Sequence, residues 1–226
     1  MINLKKEFIK LTSTTRLYNC GVPIIGLTGG IATGKSSVSL ILESMNFSVI
    51  CADKIVKEIY RRPESQLFIQ HHFPEVVDST TKQIDFRKLR EKVFANVNDL
   101  ELLENFLHPK IKDYFLASVS SLQQDNKRPP FVIYDVPLLF EKKISSSFDL
   151  IITVYASKEI QTKRLMARDS IDLSLAQKII ATQMDIEQKR KLSDFVIDNN
   201  SDNPTSKRQT KLATSVQNIV NIITED

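Results

Sequence analysis

Gly29-x-x-x-x-Gly34-Lys35-Ser36 is a spacing that handles phosphate. Its glycines let successive backbone N–H groups turn inward around an anion. Lys35 can reach the β- and γ-phosphates of a nucleotide, and the Ser36 hydroxyl can ligate Mg²⁺. A helix opening near Lys35 would aim the positive end of its dipole at the same charge. Ala32, Thr33 and Ser37 complete the loop, so Gly29 to Ser37 is the expected phosphate cradle.

Other residues could supply the remaining chemistry. Asp53 follows a short apolar run and suits two tasks: taking the proton of an attacking hydroxyl, or capping the next helix. Position alone favours the cap. Asp135 ends the run Phe131-Val132-Ile133-Tyr134 and resembles the carboxylate that supports Mg²⁺ in phosphate-loop proteins, directly or through water. Arg164 and Arg168 stand four apart on one helical face. They could neutralise phosphate charge, although a charge run is more commonly a solvated surface. His108 precedes Pro109, and no second ligand has the spacing for a metal pair with it.

These residues need elements to hold them. Short apolar segments at 24–28, 47–51, 131–135, 149–155 and 194–198 are expected as strands buried on both faces. Helical patterns alternate with them, so the fold expected is α/β with a parallel sheet. Residues 53–124 read as helices at 53–61, 64–72, 85–95, 99–107 and 109–124, with Asp85 and Asp99 as caps and Pro109 as a break. Further helices are expected at 157–168, capped by Ser157, and at 173–190, capped by Asp172 or Ser174. Residues 199–206 form a loop by composition, and a last helix covers about 207–224.

The chain has 226 residues, 42% hydrophobic and 26% charged, enough for one substantial domain with an insertion. No apolar stretch is long enough to cross a membrane. The net charge of +4 resides mostly in Lys5, Lys6, Lys10 and Arg16, so no basic face for nucleic acid is expected. Two cysteines, Cys20 and Cys51, build neither a disulfide framework nor a zinc set, which suits a reducing compartment. The first twenty residues lack a secretory core. Leu4, Phe8 and Leu11 fall at helical spacing, so a short surface helix is expected there, ahead of a mitochondrial-type targeting segment.

Several segments together resemble the dephospho-coenzyme A kinases. They are Ile25-Gly26-Leu27-Thr28-Gly29-Gly30-Ile31 through Ser36, Ala52-Asp53, Leu89-Arg90-x-x-Val93-Phe94 and Leu107-His108-Pro109-x-Ile111. Pro137-Leu138-Leu139-Phe140-Glu141 and Asp194-Phe195-Val196-Ile197-Asp198-Asn199 complete the set. They run in the family's order from 24 to 200. The resemblance implies a three-layer α/β/α fold of the P-loop NTPase kind, with a five-stranded parallel sheet, a helical substrate-binding insertion and a helical lid. The extension would be 1–22 and the kinase domain 23–226. Within it the core would be 23–53, 125–156 and 191–226, the acceptor-binding insertion 54–124 and the lid 157–190.

The reaction implied is transfer from ATP, with Mg²⁺, to the ribose 3′-hydroxyl of dephospho-CoA, the last step of CoA synthesis. On this resemblance Asp53 becomes the general base, and Lys35, Arg164 and Arg168 join it as catalytic residues. Arg90 and His108 face the acceptor, Asn199 and Asn200 lie by adenine, and Ser36 and Asp135 serve the metal. A cytoplasmic monomer or weak homo-oligomer is expected, without nucleic-acid or membrane partners.

Some positions depart from the family's usual pattern. Cys51 stands where an Asp is common and Lys57 where an Arg is common; Pro74, Lys82 and Ser201 replace turn glycines. Other readings fit less well. A kinase for another nucleoside would not call for the Pro-Leu-Leu-Phe-Glu and Leu-His-Pro segments. A guanine-nucleotide switch would want Asn-Lys-x-Asp, but Asn126-Lys127 is followed by Arg128-Pro129. An arrested kinase would be expected to lose Lys35 or Asp53, and both are present.

Overall fold

The computed structural model describes residues 2–78, 80–81, 83–124, 129–201 and 206–225. Lys82, Asn126 to Arg128 and most of the 199–206 loop, from 202 to 205, lie outside these. In chain order the elements are β1 (Asn3–Leu4), β2 (Ile24–Gly29), α1 (Lys35–Ser44), β3 (Val49–Cys51), α2 (Ala52–Arg61), α3 (Pro63–His72), α4 (Phe86–Ala95) and α5 (Val97–Gln123). Then come β4 (Val132–Asp135), β5 (Leu150–Tyr155), α6 (Lys158–Asp169), α7 (Leu173–Ala181), α8 (Ile186–Leu192), β6 (Phe195–Asp198), α9 (Ser206–Ile223) and β7 (Thr224–Glu225). The chain divides into two compact units, 1–51 with 119–226, and 52–118.

The first unit is built on a five-stranded parallel sheet in the order β3-β4-β2-β5-β6. Each of the five expected strands is present, trimmed by up to two residues at its start. Alternation along β2 explains how the sheet is covered. Ile25 and Leu27 point into a cluster with Val38 and Leu42 of α1 and Leu212, Val216 and Val220 of α9. On the opposite face Gly26 makes room for Leu139 and Phe148; a Cβ there would lie 2.6 Å from Leu139 Cδ1. Leu27 pairs in register with Asp135, and Asp135 with Cys51, so β4 and β3 end level with each other while β2 runs on to Gly29.

The N-terminal segment differs from the expected helix. Asn3 and Leu4 pair antiparallel with Glu225 and Thr224, and Lys6–Phe8 form only a 3₁₀ turn. Leu4 is buried in the α1/α9 cluster rather than on an appended surface. Arg16 anchors the segment further along. Its Nε donates to Asp149 Oδ2 at 2.7 Å and its Nη2 to Oδ1 at 3.1 Å. The same carboxylate accepts from Leu11 N and Ile24 N at 3.0 Å each.

The second unit, 52–118, is helical, and its only described strand-like pairing is one bridge between Val77 and Ile84. Asp85 caps α4 as expected, accepting from Arg87 N and Lys88 N. Asp99 does not cap: α5 already begins at Val97, Asn96 Oδ1 takes the Asn98 N–H, and Asp99 pairs with Lys92 at 3.5 Å. The expected break at Pro109 is also absent. An interior proline costs about 3 kcal/mol, but Leu103, Leu107, Phe115 and Val119 are all buried at multiples of four, and each such burial contributes about 1.5–3 kcal/mol. One unbroken helix keeps that stripe aligned.

Conversely, the single helix expected over 173–190 is two. Asp172 caps α7 through Leu175 N, and Asp185 caps α8 through Glu187 N. Between them the link turns outward to other partners: Gln183 Oε1 accepts from Ile31 N at 2.9 Å, and Met184 N donates to Glu141 Oε1 at 2.9 Å. Ser157 caps α6 as expected. Among the described residues no helix is long and apolar enough to cross a membrane.

Candidate active site

The loop that joins β2 to α1 occupies the carboxyl end of the sheet's middle strand, where ligands bind in open parallel sheets. Two of its residues have left-handed backbone, Ala32 at φ 59° and Gly34 at φ 94°. Glycine meets that demand at Gly34, while Ala32 carries about 1 kcal/mol of strain. Gly29 is required for another reason: a Cβ there would lie 2.7 Å from the Val154 carbonyl oxygen of β5. Inside the loop, Thr33 is buried and its hydroxyl donates to Gly30 O at 2.8 Å.

The outward carbonyls of the loop are held by two side chains. Arg164 Nη1 donates to Ala32 O and Thr33 O, each at 3.3 Å, and its Nη2 donates to Asn199 O and Ser201 O, each at 2.7 Å. Asn199, 3% exposed, donates from Nδ2 to Thr33 O at 2.7 Å. Peptide planarity opposes each carbonyl to the following N–H. Fixing Thr33 O on Arg164 and Asn199 therefore turns the Gly34 N–H the other way, as an anion-binding loop requires. Asn200 serves the neighbouring turn, accepting from Ser157 N at 3.0 Å.

Lys35 and Asp135 are brought together. Lys35 Nζ pairs with Asp135 Oδ1, and Ser39 Oγ donates to Oδ2 at 3.0 Å. Ser36 and Ser37 are exposed in the first turn of α1. A hydroxyl at Ser36 and a carboxylate at Asp135 are hard oxygen donors of the kind Mg²⁺ takes beside phosphates and water. Among the described residues no group of three or more His, Cys, Asp or Glu could hold a metal without a nucleotide.

The structure separates the two candidate arginines, Arg164 and Arg168. Arg164 is committed to backbone carbonyls, whereas Arg168 is exposed and forms a fork with Asp169, at 2.7 and 2.9 Å. Asp53 lies in the first turn of α2 rather than at its cap, because the helix starts at Ala52, directly after β3. Its side chain is exposed. Arg90 and His108 are exposed on α4 and α5. These three belong to the unit 52–118.

One residue escaped sequence reasoning altogether. Lys189 is fully buried, with Nζ 2.8 Å from Glu141 Oε1, 2.9 Å from Pro137 O and 3.5 Å from Gly29 O. Burial pushes its ammonium below the ordinary lysine value, and Glu141 opposes that push. It sits in Glu187-Gln188-Lys189-Arg190-Lys191, which reads as a solvated charge run. The only signal was its place on the apolar side of α8 beside Ile186, which is also buried.

The site can be set beside known proteins. The family profile described as Dephospho-CoA kinase matches residues 23–205. A dephospho-CoA kinase of Fusobacterium nucleatum is 41% identical over 180 residues, covering 80% of this chain and 91% of that protein. One from Carboxydothermus hydrogenoformans is 39% identical, covering 83% and 91%. Among solved structures, a Thermus thermophilus protein superposes with a TM-score of 0.75 at 28% identity, covering 90% of this chain and 99% of that one. A dephospho-CoA kinase from Campylobacter jejuni gives 0.58 at 32% identity, covering 88% and 97%. The matched stretch contains the phosphate loop, Asp53, Asp135, Arg164 and Asn199, and with these relatives it places the chain in the dephospho-CoA kinase family.

Proposed function

We propose that this kinase transfers the γ-phosphoryl group of ATP to the ribose 3′-hydroxyl of dephospho-CoA, giving CoA and ADP. The observation that carries the reading is the loop Gly29–Ser37, its carbonyls held by Arg164 and Asn199 and its Lys35 beside Asp135, in a chain of this family. Gly29, Ala32, Thr33, Gly34, Lys35, Ser36 and Ser37 bind the phosphates. Asn199 and Asn200 line the adenine side. With ATP bound, Lys35 would exchange Asp135 for the phosphates, and the Asp135 carboxylate and Ser36 hydroxyl would hold Mg²⁺. When bound, that ion neutralises charge on the transferred group and orients it.

Asp53 takes the proton of the attacking hydroxyl. An exposed carboxylate in a first helical turn, directly after a strand that ends level with Asp135, is available for that task. Arg90 and His108 bind the acceptor from the helical unit, with 54–124 as the acceptor domain and 157–190 as the lid. Arg164 and Arg168 divide the work of that lid: Arg164 shapes the loop, and Arg168 leaves Asp169 to meet phosphate charge. Cys51 and Lys57 alter support around the base without removing it. We place the enzyme in the cytoplasm, as a monomer or weak homo-oligomer.

The test is ADP release coupled to a spectroscopic readout, with dephospho-CoA set against adenosine, AMP and other nucleosides as acceptor. Selective turnover with dephospho-CoA is expected. Equal turnover with AMP, or none with dephospho-CoA, would overturn the assignment.

A further inference from the structure

The segment Pro137-Leu138-Leu139-Phe140-Glu141 has no part in the chemistry described so far, and neither has Lys189. The structure joins them beneath the phosphate loop. Lys189 Nζ has three protons and finds three acceptors: Glu141 Oε1, Pro137 O and, at longer range, Gly29 O. Pro137 O also accepts from Thr28 Oγ1 at 3.1 Å. Glu141 Oε1 accepts a second bond from Met184 N, next to Gln183, whose side chain holds Ile31 N. Lys189 thus connects the start of the phosphate loop, the turn after β4 and the link before α8.

An ammonium at zero exposure is an expensive way to fill space. Taking such an ion out of water costs several kcal/mol, and a hydrophobe of similar volume is often as stable. What a hydrophobe cannot do is donate to the Gly29 and Pro137 carbonyls at once. Gly29 O belongs to the peptide that opens the phosphate loop, and Pro137 follows Asp135 by two residues. We propose that Lys189, held by Glu141, is a positioning residue for ATP binding. It fixes the first peptide of the phosphate loop against the turn that follows Asp135, and it ties both to the α7–α8 link. The inference rests on the ATP-kinase reading of this loop.

Direct titration of ATP with Mg²⁺ into the full chain tests it, because a partly unfolded sample changes the stoichiometry and leaves the affinity of the folded fraction untouched. Lys189→Met alone strands a buried carboxylate, so Lys189→Met/Glu141→Gln is the working variant, with Lys189→Arg as the conservative one. The double variant is expected to melt close to wild type, to bind ATP about tenfold more weakly and to raise the KM for ATP in step. The KM for dephospho-CoA should stay within twofold, and Lys189→Arg should recover most of the ATP affinity. ATP binding within twofold of wild type in the double variant would overturn the proposal, as would an equal rise in both KM values. Wild-type chain that fails to bind ATP would instead defeat the kinase reading itself.

Discussion

Replacing Arg16 by Met should be strongly destabilising. The Arg16 side chain is 6% exposed and that of Asp149 is 0%. Asp149 accepts four hydrogen bonds, two of them from Arg16, and Arg16 Nη2 also serves Leu11 O at 2.6 Å. Arg16→Met therefore leaves a wholly buried carboxylate with two backbone N–H partners and no counter-charge. Removing one partner of a buried ion pair costs about 3–5 kcal/mol. For a chain of this size each kcal/mol lowers the melting temperature by about 2–4 °C, so the expected fall is roughly 6–20 °C.

The comparison variant is Lys10→Met, which breaks the 2.6 Å pair with Asp194, whose side chains are 48% and 30% exposed. That pair should contribute no more than about 1 kcal/mol. Adding Asp149→Asn to Arg16→Met removes the stranded charge and should recover part of the loss. Calorimetry or circular dichroism melts of the four proteins decide the matter. An Arg16→Met melt within 3 °C of wild type, or one no lower than that of Lys10→Met, would refute the reasoning.

Other outcomes follow from the same geometry. Asp53→Asn should lower kcat by ~10²–10⁴, the range for loss of a general base, with ATP affinity nearly unchanged; near-normal turnover would remove Asp53 from that role. Arg164→Lys replaces a fork that reaches four carbonyls with a point charge of three donors. Losing one charge-assisted bond is about 1.5–3 kcal/mol, so the KM for ATP should rise tenfold or more, and an unchanged KM would show that the loop holds its shape without the fork. Burial raises the Tyr60 phenol to about 12, so the native chain keeps this proton where the unfolded chain has lost it. Its contribution to stability is complete below pH 10 and is lost as pH rises through 12. Tyr18 and Tyr155 are also raised, so the test is a difference: ultraviolet titration of Tyr60→Phe should lose the phenol that ionises near 12, and loss of one that ionises near 10 would contradict the burial argument.

Legibility in the sequence followed the range of the forces. The strands are short apolar runs buried on both faces, a local signature, and each appeared within two residues of its expected bounds. The phosphate loop was equally visible because its spacing is a local pattern, with left-handed backbone at Gly34, although Gly29 also answers a distant demand, the approach of the Val154 carbonyl. Failures occurred where a distant contact overrode a local rule. Pro109 should break a helix, yet a buried stripe on both sides of it keeps α5 whole. Residues 182–185 carry no breaker as strong as proline, yet Ile31 and Glu141 draw that link out of helical geometry. Arg164 and Arg168 look equivalent at a spacing of four; only the fold shows one bound to carbonyls and the other to Asp169. Lys189 was invisible for the same reason, since charge patterning cannot tell a buried ammonium from its solvated neighbours.

The antiparallel pairing of Asn3 with Glu225 brings the two segments side by side. Opposed residues in an antiparallel pair lie about 5 Å apart, a gap that a few added residues can bridge. A covalently closed chain, or one closed there and reopened at another exposed loop, should therefore keep the sheet and its phosphate loop. Closure would also shrink the conformational freedom of the unfolded chain, and so raise the melting temperature without a new contact in the folded one. Asn3 and Glu225, far apart in sequence, behave as neighbours, so a bond between their segments would follow a contact the fold already makes.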